Sequence, residues 1–320
     1  MRAAPPVHAV IRSCGERTAD LCRALLARQL PIGSTLSVVA DTPFEATLRR
    51  CYEDAVAHGT KWTITIDADV LLGPDAVDTL IRRAEAMPDN YLQLEARAFD
   101  KVQGRWREVG HRIYRTELLP KALALLPAAG TSIRPESATI KLLGERGHPS
   151  RLVDDAVGVH DEDQFRRDLY RKAFTHAHKH RSRAGAIIAR SAELRQSDDD
   201  YLVILKGVWD GLLEAGTVSL DASAFRERAD GALRGLNVAE KGPLDAGESA
   251  VAAADARFDA ILVEQPPPIA APVDDPPPRL GPVAKALRGY RYRLRKSGLI
   301  AGNVRQMGAA LRAIGERLDR

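Results

Sequence analysis

Val7-His8-Ala9-Val10-Ile11 is a short, nearly continuous apolar run that reads as a buried strand, with Arg12 to Gly15 as its polar exit. From about Thr18 to Gln29 the positions Leu21, Cys22, Leu25 and Leu26 recur at helical spacing, and Pro31-Ile32-Gly33 stops that helix. Leu36 to Ala40 reads as a second strand. Asp41-Thr42-Pro43 then opens a helix over about 44–59, and Thr63 to Leu72 is a β-branched, apolar stretch interrupted by Asp67-Ala68-Asp69. Strand, helix, strand, helix, strand predicts an α/β fold: a mainly parallel sheet with right-handed crossovers and a ligand site beyond the carboxyl ends of its strands. Arg12, Ser13, Asp41, Asp67 and Asp69 all fall at those ends.

Gly73-Pro74-Asp75 ends the third strand and starts a helix from about Asp75 to Ala86. Tyr91 to Phe99 alternates apolar and polar residues, the pattern of a strand with one wet face, and Trp106 to Tyr114 is its expected hairpin partner. Leu118 to Leu126 reads as helix. The stretch 128–157 lacks hydrophobic periodicity and reads as irregular, either an acceptor-side wall or a surface loop. A long polar helix is expected from Asp161 to about Arg190. Asp198-Asp199-Asp200 then caps a helix from Tyr201 to Ala215, whose stripe of Leu202, Ile204, Leu205, Val208, Trp209, Leu212 and Leu213 predicts core. Helices follow at about 222–234 and 249–264. Two triple prolines mark 265–282 as an extended linker, and 283–320 reads as a basic amphipathic tail. The expected division is therefore a catalytic domain over 1–195, a helical extension over 196–264, the linker and the tail.

Composition narrows the class. With 320 residues, 45% of them hydrophobic, the chain can bury a substantial core; a net charge of +4 argues against a protein that coats nucleic acid. Three scattered cysteines, Cys14, Cys22 and Cys51, support neither a disulfide framework nor a zinc site, which fits a reducing cytoplasm. Met1 to Pro6 has no leader pattern, and no apolar run approaches the ~20 residues of a membrane helix. A cytoplasmic bacterial protein is expected. The tail adds the possibility of peripheral attachment to the inner face of the cell membrane, since each basic residue near anionic lipid contributes roughly 1 kcal/mol. Partner docking, nucleic-acid contact or packing on its own domain are the other readings of that tail.

The chemistry centres on Asp67-Ala68-Asp69. Residues i and i+2 of an extended chain point to one side, so both carboxylates can reach one hard divalent cation, Mg²⁺ or Mn²⁺, or its water shell; a solvated turn is the plainer reading. Neither Gly-x-Gly-x-x-Gly after the first strand nor a Gly-x-x-x-x-Gly-Lys-Ser/Thr loop is present, so a nucleotide would be held by a metal and basic side chains. His176, His178 and His180 lie among Lys172, Lys179, Arg181 and Arg183, a basic face that reads as solvated or as an anion contact rather than a metal site.

Three strands with their exits, Val7 to Cys14, Leu36 to Asp41 and Thr63 to Leu72, are followed by Gly158-Val159-His160-Asp161-Glu162-Asp163-Gln164 and Arg166 to Lys172. In order and spacing these resemble the nucleotide-sugar-binding part of GT-A glycosyltransferases of the family-2-like group, over about the first half of the chain. The resemblance implies a metal-dependent, inverting hexosyltransferase that moves a sugar from a nucleotide-diphosphate donor to a glycan or lipid-linked acceptor. It puts Asp69 on the metal, Asp67 on the ribose or a metal-bound water, and His160 as third ligand or diphosphate contact. Arg12, Ser13 and Asp41 would receive the nucleotide, and Arg50 its phosphate or base. Asp163, or else Asp161, would take the acceptor proton; both acids also suit a helix cap. Asp168 stands where that family commonly has Trp. The alternatives are a nucleotidyltransferase, which calls for a Gly-rich basic loop after the first strand, and a non-catalytic binding protein acting through its tail.

Overall fold

The computed structural model describes residues 4–132, 134–216 and 223–268. The basic tail, and the proline-rich stretch beyond 268, lie outside the described residues. Strand β1 (Val7–Arg12) is fully buried, and helix α1 (Ala19–Ala27) lays Leu21, Cys22, Leu25 and Leu26 into the core. Then come β2 (Thr35–Val39), α2 (Phe44–His58), β3 (Trp62–Asp67), a two-residue turn and β4 (Val70–Leu72). Thus the Thr63 to Leu72 stretch is two strands, broken at Ala68-Asp69. Helix α3 (Ala76–Glu85) follows, then β5 (Gln93–Asp100), β6 (Arg105–Arg107) and β7 (His111–Arg115).

After β7 the chain makes a short 3-10 turn and α4 (Leu119–Leu123), then α5 (Pro135–Glu145) and β8 (Ser150–His160). The last two correct the expectation of irregular chain over 128–157. The long polar helix is likewise two, α6 (Arg166–Lys179) and α7 (Ala184–Leu194), parted where His180 leaves helical geometry at φ −130°, ψ 56°. Helices α8 (Asp199–Leu213), α9 (Arg226–Leu236) and α10 (Glu248–Glu264) complete the described chain. Asp198 caps α8 by accepting from the Asp200 N–H at 2.8 Å, as expected.

The strands form one sheet in the order β2-β1-β3-β7-β5-β8-β4, with β6 on β5. Strands β2, β1 and β3 pair in parallel through helical crossovers, and β5 pairs in parallel with β8; β7, β6 and β4 enter antiparallel. Helices α1 and α3 cover one face of the sheet with an apolar core, and α2 and α4 bury Leu48, Tyr52, Leu119 and Ala122 on a second core with Val10 and Tyr114. Strand β5 lies between β7 and β8 and buries Leu94, Ala96 and Ala98; its polar face is only partly wet, with Gln93 fully buried and Glu95 and Arg97 partly so. Helices α6, α7 and α8 bury Leu169, Ala173, Ile187, Ile204 and Val208 together. The α8 stripe is only partly core, because Trp209 and Leu213 turn outward and are 56% and 69% exposed.

Candidate functional site

The site is assembled by strand register. β1 and β3 run in parallel with Arg12 opposite Asp67, and the Arg12 Nε donates to Asp67 Oδ1 at 2.7 Å. The chain then turns, with the Ala68 N–H donating to the Arg12 carbonyl at 2.9 Å. β4 begins one residue past Asp69 and pairs antiparallel with β8, placing Val70 opposite His160; the Asp161 N–H donates to the Asp69 carbonyl at 3.0 Å. β8 also lies against β5 with His160 opposite Asp100. Three strand ends therefore meet at Asp69, Asp100 and His160. A one-residue slip would turn each side chain to the opposite face of the sheet.

Two close approaches depend on glycine. A Cβ on Gly158 would stand 2.6 Å from the Leu71 carbonyl oxygen, so β4 and β8 can pair only with glycine there. Gly110, at φ 69°, accepts at its carbonyl from the Asp67 N–H at 2.6 Å and leaves room for Val70. Asp161 itself takes φ 64°, a left-handed conformation that costs a non-glycine residue on the order of 1 kcal/mol. In that turn its carboxylate lies beside His160.

Asp69, His160 and Asp161 are all buried, and one donor atom from each lies within 4.8 Å of the others. His160 Nε2 is 3.5 Å from Asp69 Oδ1, while its Nδ1 is 3.1 Å from Asp161 Oδ2 and 3.4 Å from Asp100 Oδ2. Neither Asp69 Oδ1 nor His160 Nδ1 has a well-aligned hydrogen-bond partner, although both are buried. The ammonium of Lys172, from α6, contacts the other oxygens, Asp69 Oδ2 and Asp161 Oδ1. Burial works against every charge here, yet Asp161 and Asp69 raise the imidazole of His160 to about 10. In turn His160 and Lys172 hold the Asp161 carboxyl down at about 2, and Lys172 and His160 lower that of Asp69. Two carboxylates, one imidazole and two buried polar atoms without aligned partners fit a divalent cation such as Mn²⁺. In the arrangement seen, an ammonium neutralises the same carboxylates.

Beside this cluster a second ionic network holds Arg12. It is only 4% exposed and pairs with Glu136 at 2.7 Å as well as with Asp67; Glu136 also accepts from Arg112 Nη1 at 2.6 Å and from the Tyr114 hydroxyl at 2.8 Å. Burial would raise the Glu136 carboxyl, but Arg112 and Arg12 keep it below its usual range. Burial also pushes the Asp67 carboxyl up to about 6 against the pull of Arg12. Asp67 keeps about a third of its side chain exposed (32%), the part left free for a ligand.

The structure thus brings Asp67, Asp69, His160 and Asp161 together and places Arg12 under them. Ser13 donates its hydroxyl to Glu16 at 2.8 Å in the loop after β1, and Asp41 is exposed after β2. Arg50 lies on the exposed side of α2, 3.5 Å from Asp54. Asp163, 45% exposed, pairs with Arg17 at 2.7 Å and Lys241 at 3.2 Å outside the three-residue cluster. Lys172, Asp100 and Glu136 were not foreseen as parts of the site. For Lys172 a signal existed, since it falls three residues after Leu169 and so borders the buried face of α6. Glu136 gave none, lying in the stretch without periodicity.

His160, Asp161 and Lys172 open on a cleft of ≈ 200 Å³ whose other walls include Arg107, Arg134, His176, Lys179 and His180. His176 and His180 have ring centroids 5.1 Å apart, as one helix face requires.

The parallel β2-β1-β3 edge, the Asp67-Ala68-Asp69 turn and the return of β8 to His160 make an α/β fold with the acidic turn at the strand ends. No protein-family model and no curated relative matches the sequence. Several solved structures align with parts of it. One is a glycosyltransferase involved in the glycosylation of the major capsid of PBCV-1, with 14% identity, 49% of this chain and 93% of that one covered, and a TM-score of 0.35. Another is a mannosyltransferase from Pyrobaculum calidifontis in complex with GDP-Man and Mn²⁺, with 15% identity, 82% and 81% covered, and a TM-score of 0.36. A third is 4-diphosphocytidyl-2C-methyl-D-erythritol synthase from Anaerococcus prevotii, with 9% identity, 47% and 89% covered, and a TM-score of 0.37. Likenesses of this size describe a shared outline and identify no reaction.

Proposed function

We propose that the chain is a metal-assisted glycosyltransferase that takes a sugar from a nucleotide-diphosphate donor. The observation that carries this reading is the buried group of Asp69, His160 and Asp161, with donor atoms within 4.8 Å of one another at the carboxyl end of β3 and beside an open cleft. A bound divalent cation would supply Lewis-acid stabilisation of the charge that builds on a departing diphosphate. Asp69 and Asp161 would hold it through carboxylate oxygens and His160 through a ring nitrogen. The partly exposed Asp67 is left for the ribose or for water, with Arg12 fixing its orientation from below.

Of the two carboxylates considered for the acceptor proton, Asp161 is buried and held low by His160 and Lys172, which suits a ligand better than a base. We assign the proton to Asp163, which keeps 45% of its side chain exposed. Ser13 and Asp41 are assigned to the nucleotide. The catalytic part is assigned to 1–195 and the helical extension to 196–264. No helix among the described residues is long and apolar enough to cross a membrane. The acceptor is proposed to be a glycan or a lipid-linked sugar, the latter in keeping with the basic pattern of 283–320.

A nucleotidyltransferase would need free basic groups in the loop after β1. Arg12 is committed to Asp67 and Glu136, and Arg17 to Asp163 and the Gly242 carbonyl, so this geometry favours the transfer of sugar. A thermal-shift screen of nucleoside diphosphates and their sugars, with and without Mn²⁺, tests the proposal. Stabilisation by one nucleotide only when metal is present is expected; equal response with and without metal would overturn it.

A further inference from the structure

The cleft next to the cation cluster has an excess of positive charge that the donor does not account for. Four of its walls are cationic side chains: Arg107, Arg134, Lys172 and Lys179. Two of these are matched within the cleft itself, Arg107 by Asp100 at 2.5 Å and Lys172 by Asp161. Among the described residues, neither Arg134 nor Lys179 has a carboxylate within ion-pair distance. Arg134 instead makes a 2.8 Å contact from Nη2 to His180 Nε2, and His176 Nε2 is buried without any hydrogen-bond partner. Asp100 and Asp161 are already paired with Arg107 and Lys172, and His180 Nε2 accepts from Arg134; what remains is Arg134, Lys179 and His176 with no carboxylate partner around a small hollow, the ordinary make-up of an anion site.

The electrostatics agree with this geometry. Burial, and then Arg134 and Arg171, lower the ammonium pKa of Lys179; burial, and then Arg134, Arg183 and Lys179, lower that of His180. The Lys179 ammonium is thus disfavoured by its cationic neighbours and the His180 ring is held neutral by them, a repulsion that an anion between them would relieve.

Size and position narrow the ligand. A volume of ≈ 200 Å³ is below the roughly 300–1,000 Å³ of pockets for drug-sized ligands, so the cleft suits a head group rather than a whole nucleotide. Arg12, Ser13, Asp67 and Asp69 do not line it, whereas His160 and Asp161 do. It therefore begins where the proposed donor diphosphate ends.

We propose that this cleft binds a phosphate group carried by the acceptor, with Arg134, Lys179 and His180 as its contacts and His176 as a further donor. The word acceptor rests on the glycosyltransferase reading; the phosphate site itself does not. Phosphate is the anion whose several oxygens can serve a guanidinium, an ammonium and two imidazoles at once.

Calorimetric titration of the full chain with inorganic phosphate, alone and in the presence of Mn²⁺ and pyrophosphate, separates this site from the donor's. Phosphate is expected to bind the wild type without metal, and to bind equally well once Mn²⁺-pyrophosphate is present. Because Arg134 and Lys179 are both exposed, the double variant Arg134→Gln/Lys179→Gln should keep the wild-type thermal midpoint. It should lose at least tenfold in phosphate affinity while holding Mn²⁺-pyrophosphate as before. Displacement of phosphate by Mn²⁺-pyrophosphate, undiminished phosphate affinity in the variant, or no phosphate binding to the wild type would each overturn the proposal. Failure of Mn²⁺-pyrophosphate to bind the wild type would instead count against the glycosyltransferase reading, with the phosphate titration unaffected.

Discussion

Lys172 occupies the oxygens that a divalent cation would also use. Its ammonium contacts Asp69 and Asp161 in a setting where removal of one charge leaves the others buried and uncompensated. A cation entering the cluster therefore competes with it. Lys172→Met removes the competitor at similar volume, and Mn²⁺ affinity measured by electron paramagnetic resonance should rise about tenfold, about 1.4 kcal/mol. Weaker Mn²⁺ binding in that variant would show that the lysine supports the cation instead. His111 offers a test of pH dependence away from the cluster. Its ring accepts from the Ala96 N–H at Nε2 (3.1 Å) and sits 2.8 Å from the Val109 carbonyl at Nδ1, so only the neutral ring satisfies both contacts. Burial lowers its pKa from 6.5 to about 4. The unfolded chain thus binds the extra proton between those values; His111's contribution is complete above pH 6.5 and is lost as pH falls toward 4. The stability advantage of wild type over His111→Gln, from urea unfolding, should shrink by roughly 3 kcal/mol between pH 7 and pH 4. A constant advantage would refute the neutral assignment. At this scale the acids were legible because two carboxylates one residue apart interrupt an apolar strand run, although a turn at Ala68-Asp69, not extended spacing, sets their positions. Lys172 showed only its place on the border of the buried face of α6; that it meets Asp69 was not visible, because that residue is distant in sequence.

Among the elements, β8 does most to complete the site and was least visible beforehand. Asp154 and Asp155 interrupt its apolar alternation, and a lone chain cannot show that Arg97 and Arg83 neutralise them, each at 2.8 Å. The register shifts where it passes Glu95 to Ala98, which further erases the period of two. By contrast, α1 and α2 show the apolar spacing that buries them, so both were legible to within a few residues. A buried ionic clasp joins the residue after β5, α6, α8 and the segment after α9: Asp200, 1% exposed, meets Lys101 at 2.6 Å, Lys241 at 2.7 Å and Arg166 at 3.3 Å. Asp200→Ala would leave the buried Lys101 with only the partly exposed Asp198 in ion-pair distance and Glu162 farther off. The expected loss is roughly 3–5 kcal/mol, read from chemical denaturation. A loss below 1 kcal/mol would mean that the clasp is solvated in solution.

For the whole molecule, one edge of the sheet follows the plan that the sequence pattern predicts, and the other does not. Strands β2, β1 and β3 are local repeats of strand and helix, whose order dictates parallel pairing. Strand β8 pairs antiparallel with β4 and parallel with β5, pairings that no strand–helix repeat dictates, and it is this half that brings His160 and Asp161 to Asp69. The central claim is that these three residues hold a divalent cation against a nucleoside diphosphate. It is tested most directly by titrating Mn²⁺ into the wild type and into Asp69→Asn, with and without the nucleoside diphosphate that the thermal-shift screen selects. The account predicts a single Mn²⁺ site in the wild type, tighter when the diphosphate is present, as linkage demands, and lost in Asp69→Asn. Mn²⁺ binding that persists unchanged in the variant, or that ignores the diphosphate, would contradict it.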